Sequence, residues 1–176
     1  MNCSTGRFVF RREGPICISM KSVITFGLVA LLCAFSGNAA FAQDDTAVAR
    51  WQADPSVVFD ATAVQLSDFA WLARPVVVFA DSPNDPRFQQ QMALLLRDLP
   101  ALAARDVVLI TDTDPAARSD VRIALRPRGF MLTLLAKDGT VAFRKPAPWD
   151  VREISRSIDK MPLRQQEIED RRLLAR

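Results

Sequence analysis

The run Pro75-Val76-Val77-Val78-Phe79-Ala80 carries no polar side chain. A strand with one wet face alternates apolar and polar residues, whereas a strand covered on both faces does not. The valines and the phenylalanine therefore predict an inner strand of a sheet packed between two layers of helix. Val107-Val108-Leu109-Ile110 repeats the pattern, and so does Phe130-Met131-Leu132-Thr133-Leu134-Leu135-Ala136. Between the first two runs the chain reads as a helix. Asp81-Ser82-Pro83-Asn84-Asp85 makes a turn, Asp85 supplies a capping carboxylate, and Pro86 falls at the first helical position, where a missing N–H costs nothing. Met92, Leu95, Leu96 and Leu99 form a stripe at helical spacing, and Pro100 ends or bends the helix. Thr111-Asp112-Thr113-Asp114-Pro115 repeats the turn-and-cap grammar and predicts a shorter helix over residues 116–125.

Further out, Lys137-Asp138-Gly139-Thr140 signals a tight hairpin, because Asp-Gly accepts positive φ, and residues 141–144 return antiparallel. Pro146 and Pro148 break the chain. Asp150 and Glu153 have capping-box spacing, and Val151, Ile154 and Ile158 line one face of the next helix. Pro162 disfavours helix at Met161, and residues 163–174 restart as a polar, Arg- and Glu-rich helix. Upstream, residues 56–59 fit a short strand. Ser67 caps a turn or short helix over residues 68–72 that presents Phe69 and Trp71. A strand-helix-strand unit of buried strands implies parallel pairing and a right-handed crossover. The expected fold class is α/β, a mixed sheet of about four or five strands with helices on both faces.

The chain has 176 residues, 49% hydrophobic and 24% charged, which fits one globular domain rather than a disordered chain. It has no His and no Tyr. Ser-His-Asp triads, Cys-His pairs and His-containing zinc sites are thereby excluded. Near the amino end, Met20-Lys21 precedes an apolar run over residues 23–35 and then Ala40-Phe41-Ala42. A cationic start, a short apolar core and an A-x-A site make a signal peptide, with cleavage expected between Ala42 and Gln43. The run is shorter than the roughly 20 residues a bilayer-spanning helix needs, so no stable span is expected after cleavage. Cys33 lies in the run, but Leu32 precedes it where a lipid-attachment signal wants a small residue. Met20 fits the true start, which makes residues 1–19 a mis-called leader.

Cleavage removes Arg7, Arg11, Arg12 and Lys21 together with Glu13, so 23 basic and 20 acidic residues become 19 of each. The basic excess belongs to the discarded segment and gives no argument for nucleic acid. Cys3, Cys17 and Cys33 leave with it, and no thiol, disulfide or soft metal ligand is expected in the exported protein. The expected organisation is a signal peptide over residues 1–42, an N-terminal arm over 43–65, a main domain over 66–162 and a polar helix over 163–176. The arm reads as mobile through Asp54, with Trp51 available to tack it down. The expected location is periplasmic or secreted.

The element order is that of the thioredoxin-like fold. The chain also resembles the exported bacterial proteins of domain of unknown function family 4174. The resemblance is carried by Trp71 with Arg74 ahead of the first buried strand, Arg105-Asp106 ahead of the second, and Lys137-Asp138-Gly139 at the hairpin. Its most specific part is Ile158-Asp159-Lys160-Met161-Pro162-Leu163-Arg164-Gln165-Gln166-Glu167. It runs from about Leu66 to Arg171 and implies a fold and an exported location, with no reaction attached. Redox thioredoxins place Cys-x-x-Cys after the first buried strand and a cis proline before the strand leading to the hairpin. Here those positions hold Asp81-Ser82-Pro83-Asn84-Asp85-Pro86 and Met131. Disulfide exchange needs an attacking thiolate, so the resemblance implies a redox-inactive member.

Several groupings invite a functional reading and a plainer one. The loops at the carboxyl ends of the parallel strands gather Asp81, Asp85, Asp112, Asp114 and Arg128, where open α/β sheets usually bind ligands. They suit a hard cation or an acid-base pair; the Asp-x-Pro grammar favours the plainer reading, in which Asp85 and Asp114 are helix caps and Asp81 and Asp112 turn formers. Trp71 and Arg74 suit a ligand shelf with Arg as a fork for an anion; the rarity of functional over packing aromatics favours Trp71 as an aromatic lid on the core with Arg74 stacked or paired at the surface. The string from Lys160 to Glu167 suits a partner epitope; the Met and Leu flanking Pro162 favour a structural reading, in which Met161 and Leu163 dock into the core while Arg164 reaches a carboxylate or a helix end. The mixed-charge tail reads as a solvated face. No motif names a nucleophile, a base, a metal set or a cofactor. The reading therefore favours a binding or structural module over an enzyme, with an unidentified envelope or periplasmic protein as partner. The alternative is a small-ligand or metal-assisted enzyme using the loop carboxylates.

Overall fold

Alternation along the inner strands builds two cores, one on each side of the sheet. The computed structural model describes residues 46–176. The signal-peptide expectation and the three cysteines lie outside them. Strands β1 (Val58–Asp60), β2 (Arg74–Phe79), β3 (Val107–Asp112), β4 (Met131–Leu135) and β5 (Val141–Lys145) form one sheet in the order β1-β3-β2-β4-β5. β3 pairs parallel with β1 and β2, while β4 pairs antiparallel with β2 and β5. That order and polarity make the α/β, thioredoxin-like fold. Val77, Phe79, Val108 and Ile110 face a core closed by α1 (Ala47–Ala53), two 3-10 turns (Ala61–Ala63 and Leu66–Phe69) and α4 (Asp120–Leu125). Val76, Val78, Val107 and Leu109 face the other, closed by α2 (Pro86–Arg97), α3 (Leu99–Ala103) and α5 (Val151–Asp159). Burial on both faces is why the strand sequences need no polar alternation.

Local expectations hold with four differences, one being that Ser67 caps nothing: it lies inside the 3-10 turn Leu66–Phe69, whose N-cap is Gln65. Residues 47–53 are helical, capped by Thr46. Trp51 is buried in the first core and donates its indole N–H to the Val107 carbonyl at 3.1 Å. The helix expected over 116–125 is split. Pro115–Ala117 is a 3-10 turn, Arg118 takes a left-handed φ of 48°, and Ser119 restarts the chain as α4. On α2 the buried positions are Gln91 and Leu95, and Leu96 is exposed. The Gln91 amide is satisfied inside by the Trp149 carbonyl at 2.9 Å and the Trp149 N–H at 2.6 Å. The hairpin turns at Gly139 with φ 82°, and α6 (Pro162–Leu174) follows α5 after the break at Met161. Among the described residues no helix is long and apolar enough to cross a membrane.

Candidate functional site

Strand polarity sorts the candidate residues to two ends of the sheet. β2 starts at Arg74 and ends at Phe79, so Asp81, Asp85 and Asp112 lie at its carboxyl-terminal end. Trp71, Arg74 and Asp106 lie at its amino-terminal end, about 20 Å away at the rise of a strand.

At the carboxyl-terminal end the dominant feature is a buried ion pair. Asp112 accepts from Arg122 Nε at 2.9 Å and Nη2 at 2.7 Å, and from the Ser119 hydroxyl at 2.6 Å. Arg122 also donates to the Ala80 carbonyl at 2.8 Å and lies 5.5 Å from the Phe79 ring centroid. Asp81 is exposed and 3.7 Å from the same guanidinium. Asp85 caps α2 through the Arg87 N–H at 2.8 Å, and the Arg87 side chain beside it holds its carboxyl below the usual carboxylate range. Asp114 caps the turn at Pro115, and Arg128 is exposed. Asp81 and Asp112 therefore share Arg122, whereas Asp85 is paired with Arg87. Among the described residues no three His, Cys, Asp or Glu side chains are grouped to hold a metal. The loop after β2 does lie against the segment before β4, since a Cβ on Gly129 would sit 3.7 Å from Asp81 Oδ2.

The amino-terminal end collects the other candidates. The chain enters β2 through Trp71, whose left-handed φ of 64° is unusual for a bulky residue and whose N–H donates to the Lys137 carbonyl at 2.6 Å. That bond ties the entry of β2 to the hairpin. Trp71 is 68% exposed, so it is no core lid, and Arg74 is only 1% exposed, so it is no surface residue. Arg74 occupies the first position of β2, on the same side as Val76 and Val78, and so points toward the helical layer that α6 joins. Its guanidinium meets Glu167 at 2.8 Å, the Arg105 carbonyl at 3.0 Å and Asp106 at 3.7 Å. Lys137 bridges Asp106 at 2.8 Å and Glu167 at 2.9 Å. Arg164 bonds Glu167 at 3.2 Å and the Ala104 carbonyl, just past α3, at 3.0 Å. Arg105 holds Asp159 through two bonds of 2.9 and 2.7 Å. Burial alone would raise the Glu167 carboxyl, but hydrogen bonds from Arg74, Lys137 and Arg164 outweigh it and hold it down at about 2. Asp159 is lowered as well, chiefly by the Arg105 hydrogen bonds.

Beside this network lies a cavity of about 370 Å³. Trp71, Arg74, Lys137, Asp138, Met161 and Pro162 line it, with Ala142 and Leu163 completing the apolar wall. Met161 and Leu163 are half-buried, and Met161 packs on the second core. The residues that carry the family resemblance thus meet in space. They line the cavity, turn the hairpin at Gly139, or build the ion network through Asp159, Arg164 and Glu167. Sequence reasoning missed Arg122, whose partner Asp112 sits on a separate element. It also left Arg105 and Asp106 without a role, although both stand in the resemblance.

The chain matches the family model described as Domain of unknown function (DUF4174) over residues 65–167. No curated protein matches it significantly. Among solved structures it is similar to thioredoxin peroxidase I of Plasmodium yoelii, at 16% identity and a TM-score of 0.49, over 58% of this chain and 80% of that one. It is also similar to the reduced 2-Cys peroxiredoxin of Plasmodium vivax, at 14% identity and a TM-score of 0.49, over 58% of this chain and 85% of that one.

Proposed function

The chain belongs to the family described as Domain of unknown function (DUF4174), and from that footing we propose that it is an exported, redox-inactive binding module of the periplasm or cell envelope. Its working surface is the pole around Trp71, Lys137 and Pro162. One observation carries this reading: the residues of the family resemblance converge on a cavity and its ion network at that pole. The opposite pole, where a thioredoxin would keep its thiols, has Asp112 committed to Arg122 and Ser119, and Asp85 committed to the α2 cap. That arrangement ties Asp112 and Asp85 to partners and leaves Asp81 exposed. An envelope or periplasmic protein remains the proposed partner, with the exposed Trp71 as its natural anchor, since exposed aromatics contribute strongly to interfaces.

Export and redox inactivity are tested together on the secreted product. Intact mass is expected to correspond to a chain beginning at Gln43 with no cysteine. The protein is expected to leave insulin disulfides unreduced in the presence of dithiothreitol beyond the reagent alone. A product that retains Cys33, or that accelerates insulin reduction, would falsify the reading.

A further inference from the structure

The geometry points to the cavity beside Lys137 as a binding site for a small monocarboxylate with an apolar body. The carboxylate would sit between Lys137 and the first turn of α6, with the apolar body on Trp71, Ala142 and Met161. This inference rests on the proposed working surface and gives it a ligand class. Three features supply donors without acceptors. α6 is 13 residues long and its N-cap, Met161, offers no side-chain acceptor; its first turn holds no acidic residue. Pro162 has no N–H, so the amide of Leu163, a residue that lines the cavity, is the first at the positive end of the helix dipole. Arg74, which lines the cavity and is 1% exposed, keeps its Nε–H without a partner. Lys137 carries three N–H donors and spends one each on Asp106 and Glu167, and among the described residues the third meets no acceptor.

The charge count agrees. Arg74, Arg105, Lys137 and Arg164 face Asp106, Asp159 and Glu167, so four cations meet three anions. Arg171 adds a cation 3.8 Å from Asp106, and Asp138, which lines the cavity, adds an anion held by the Thr140 N–H and hydroxyl at 2.9 and 2.7 Å. One negative charge closes the balance. A dianion would crowd Glu167 and Asp106, a cation would be repelled, and a neutral molecule would leave the donors unpaired. The wall of Ala136, Ala142, Met161, Pro162 and Leu163 disfavours a purely hydrophilic anion. The volume lies at the small end of the roughly 300–1,000 Å³ typical of ligand pockets. An adjoining hollow of about 410 Å³ shares Ala142, Met161 and Pro162 and reaches Phe143, so a linear tail can continue along it.

Octanoate is the probe, added to the exported protein and followed by calorimetry and tryptophan emission, with octanol, octylamine and acetate as comparisons. Saturable one-to-one binding is expected, with a blue shift of emission. Each comparison molecule is expected to bind at least tenfold more weakly. Trp71→Phe should abolish the blue shift, and a shift that persists would place the ligand away from this wall. Lys137→Gln should weaken octanoate at least tenfold. Because that variant disturbs the network, Ala142→Leu serves as the second test. Ala142 is exposed and outside the ion pairs, and added bulk there should block octanoate without lowering the melting temperature. Octanol matching octanoate, unchanged affinity in Ala142→Leu, or no binding at millimolar octanoate would each overturn the assignment. A leucine-terminated peptide that binds through its free carboxylate where octanoate does not would also overturn it, while leaving the module reading intact.

Discussion

Glu167 is the residue on which most of the buried charge depends. Its two oxygens meet Arg74, Lys137 and Arg164 within 3.2 Å, and Arg74 is almost wholly removed from water. Removing one partner of a buried pair costs more than the pair itself contributes, because the remaining charge is left without water or counterion. Glu167→Gln is therefore expected to lose about 3 kcal/mol of unfolding free energy, a typical figure for breaking such a pair. Urea denaturation measures it, and a loss within the error of the extrapolation would show that the network stabilises nothing. The pH dependence follows from the same carboxylate. Its pKa is about 2 in the folded protein against an ordinary 4.5, so its contribution is complete above 4.5 and disappears as pH falls from 4.5 to 2. Asp159 is lowered too and acts in the same direction. Melting temperature should fall steeply across that window, and the fall should be shallower in Glu167→Gln. One residue of this network was legible in advance. Arg164, beside a proline break, was expected to reach a carboxylate or a helix end, and it reaches both. The burial of Arg74 was not legible, because an arginine opening a strand reads as a surface residue and its counterion stands 93 positions away.

Among the elements, α4 depends most on a single side chain. Ser119 accepts from the Arg122 N–H at 3.0 Å as its N-cap and donates to Asp112 at 2.6 Å. The second bond explains why the helix does not begin at Pro115. Burying Asp112 requires the Ser119 hydroxyl inside, and Arg118 turns left-handed to put it there. Asp114-Pro115 is a sound start signal, but it is overruled by an acceptor on β3 that no local pattern reveals. Ser119→Ala is expected to lower stability by about 1–2 kcal/mol through the lost cap. Amide exchange should accelerate at Arg122 and Ile123, while β2 keeps its protection. Uniform acceleration across the sheet would instead mean that the hydroxyl supports the whole core. Signals contained within one element were readable by contrast: the Asp85 and Asp150 caps, the Gly139 turn and the apolar face of α5 are all where local chemistry puts them.

For the whole molecule, the sheet was readable because β2, β3 and β4 are buried on both faces and so carry continuous apolar sequence. The parallel order then follows from the helical crossovers. What could not be read is how α6 is held. It has one buried residue, and that residue is Arg164. A helix with so little buried apolar surface cannot be docked chiefly by the hydrophobic effect. Its attachment is electrostatic, through Arg164 to the Ala104 carbonyl and Glu167 to Arg74 and Lys137. A dependence on α6 follows. In the full chain, Arg74→Leu deprives Glu167 of one cation and should destabilise by about 3 kcal/mol, as expected for removing one partner of a buried pair. In a chain ending at Met161, Arg74 loses both Glu167 and the α6 segment beside its guanidinium, which is then open to water and keeps Asp106, already shared with Lys137. There the same substitution should be close to neutral, since a guanidinium that water reaches has lost the buried partner that made its removal costly. The four proteins form a double-mutant cycle read by denaturation, in which coupling between Arg74 and α6 appears as a difference of differences. Equal effects of Arg74→Leu in both backgrounds would mean that α6 is held by packing, and that Glu167 does not govern the burial of Arg74.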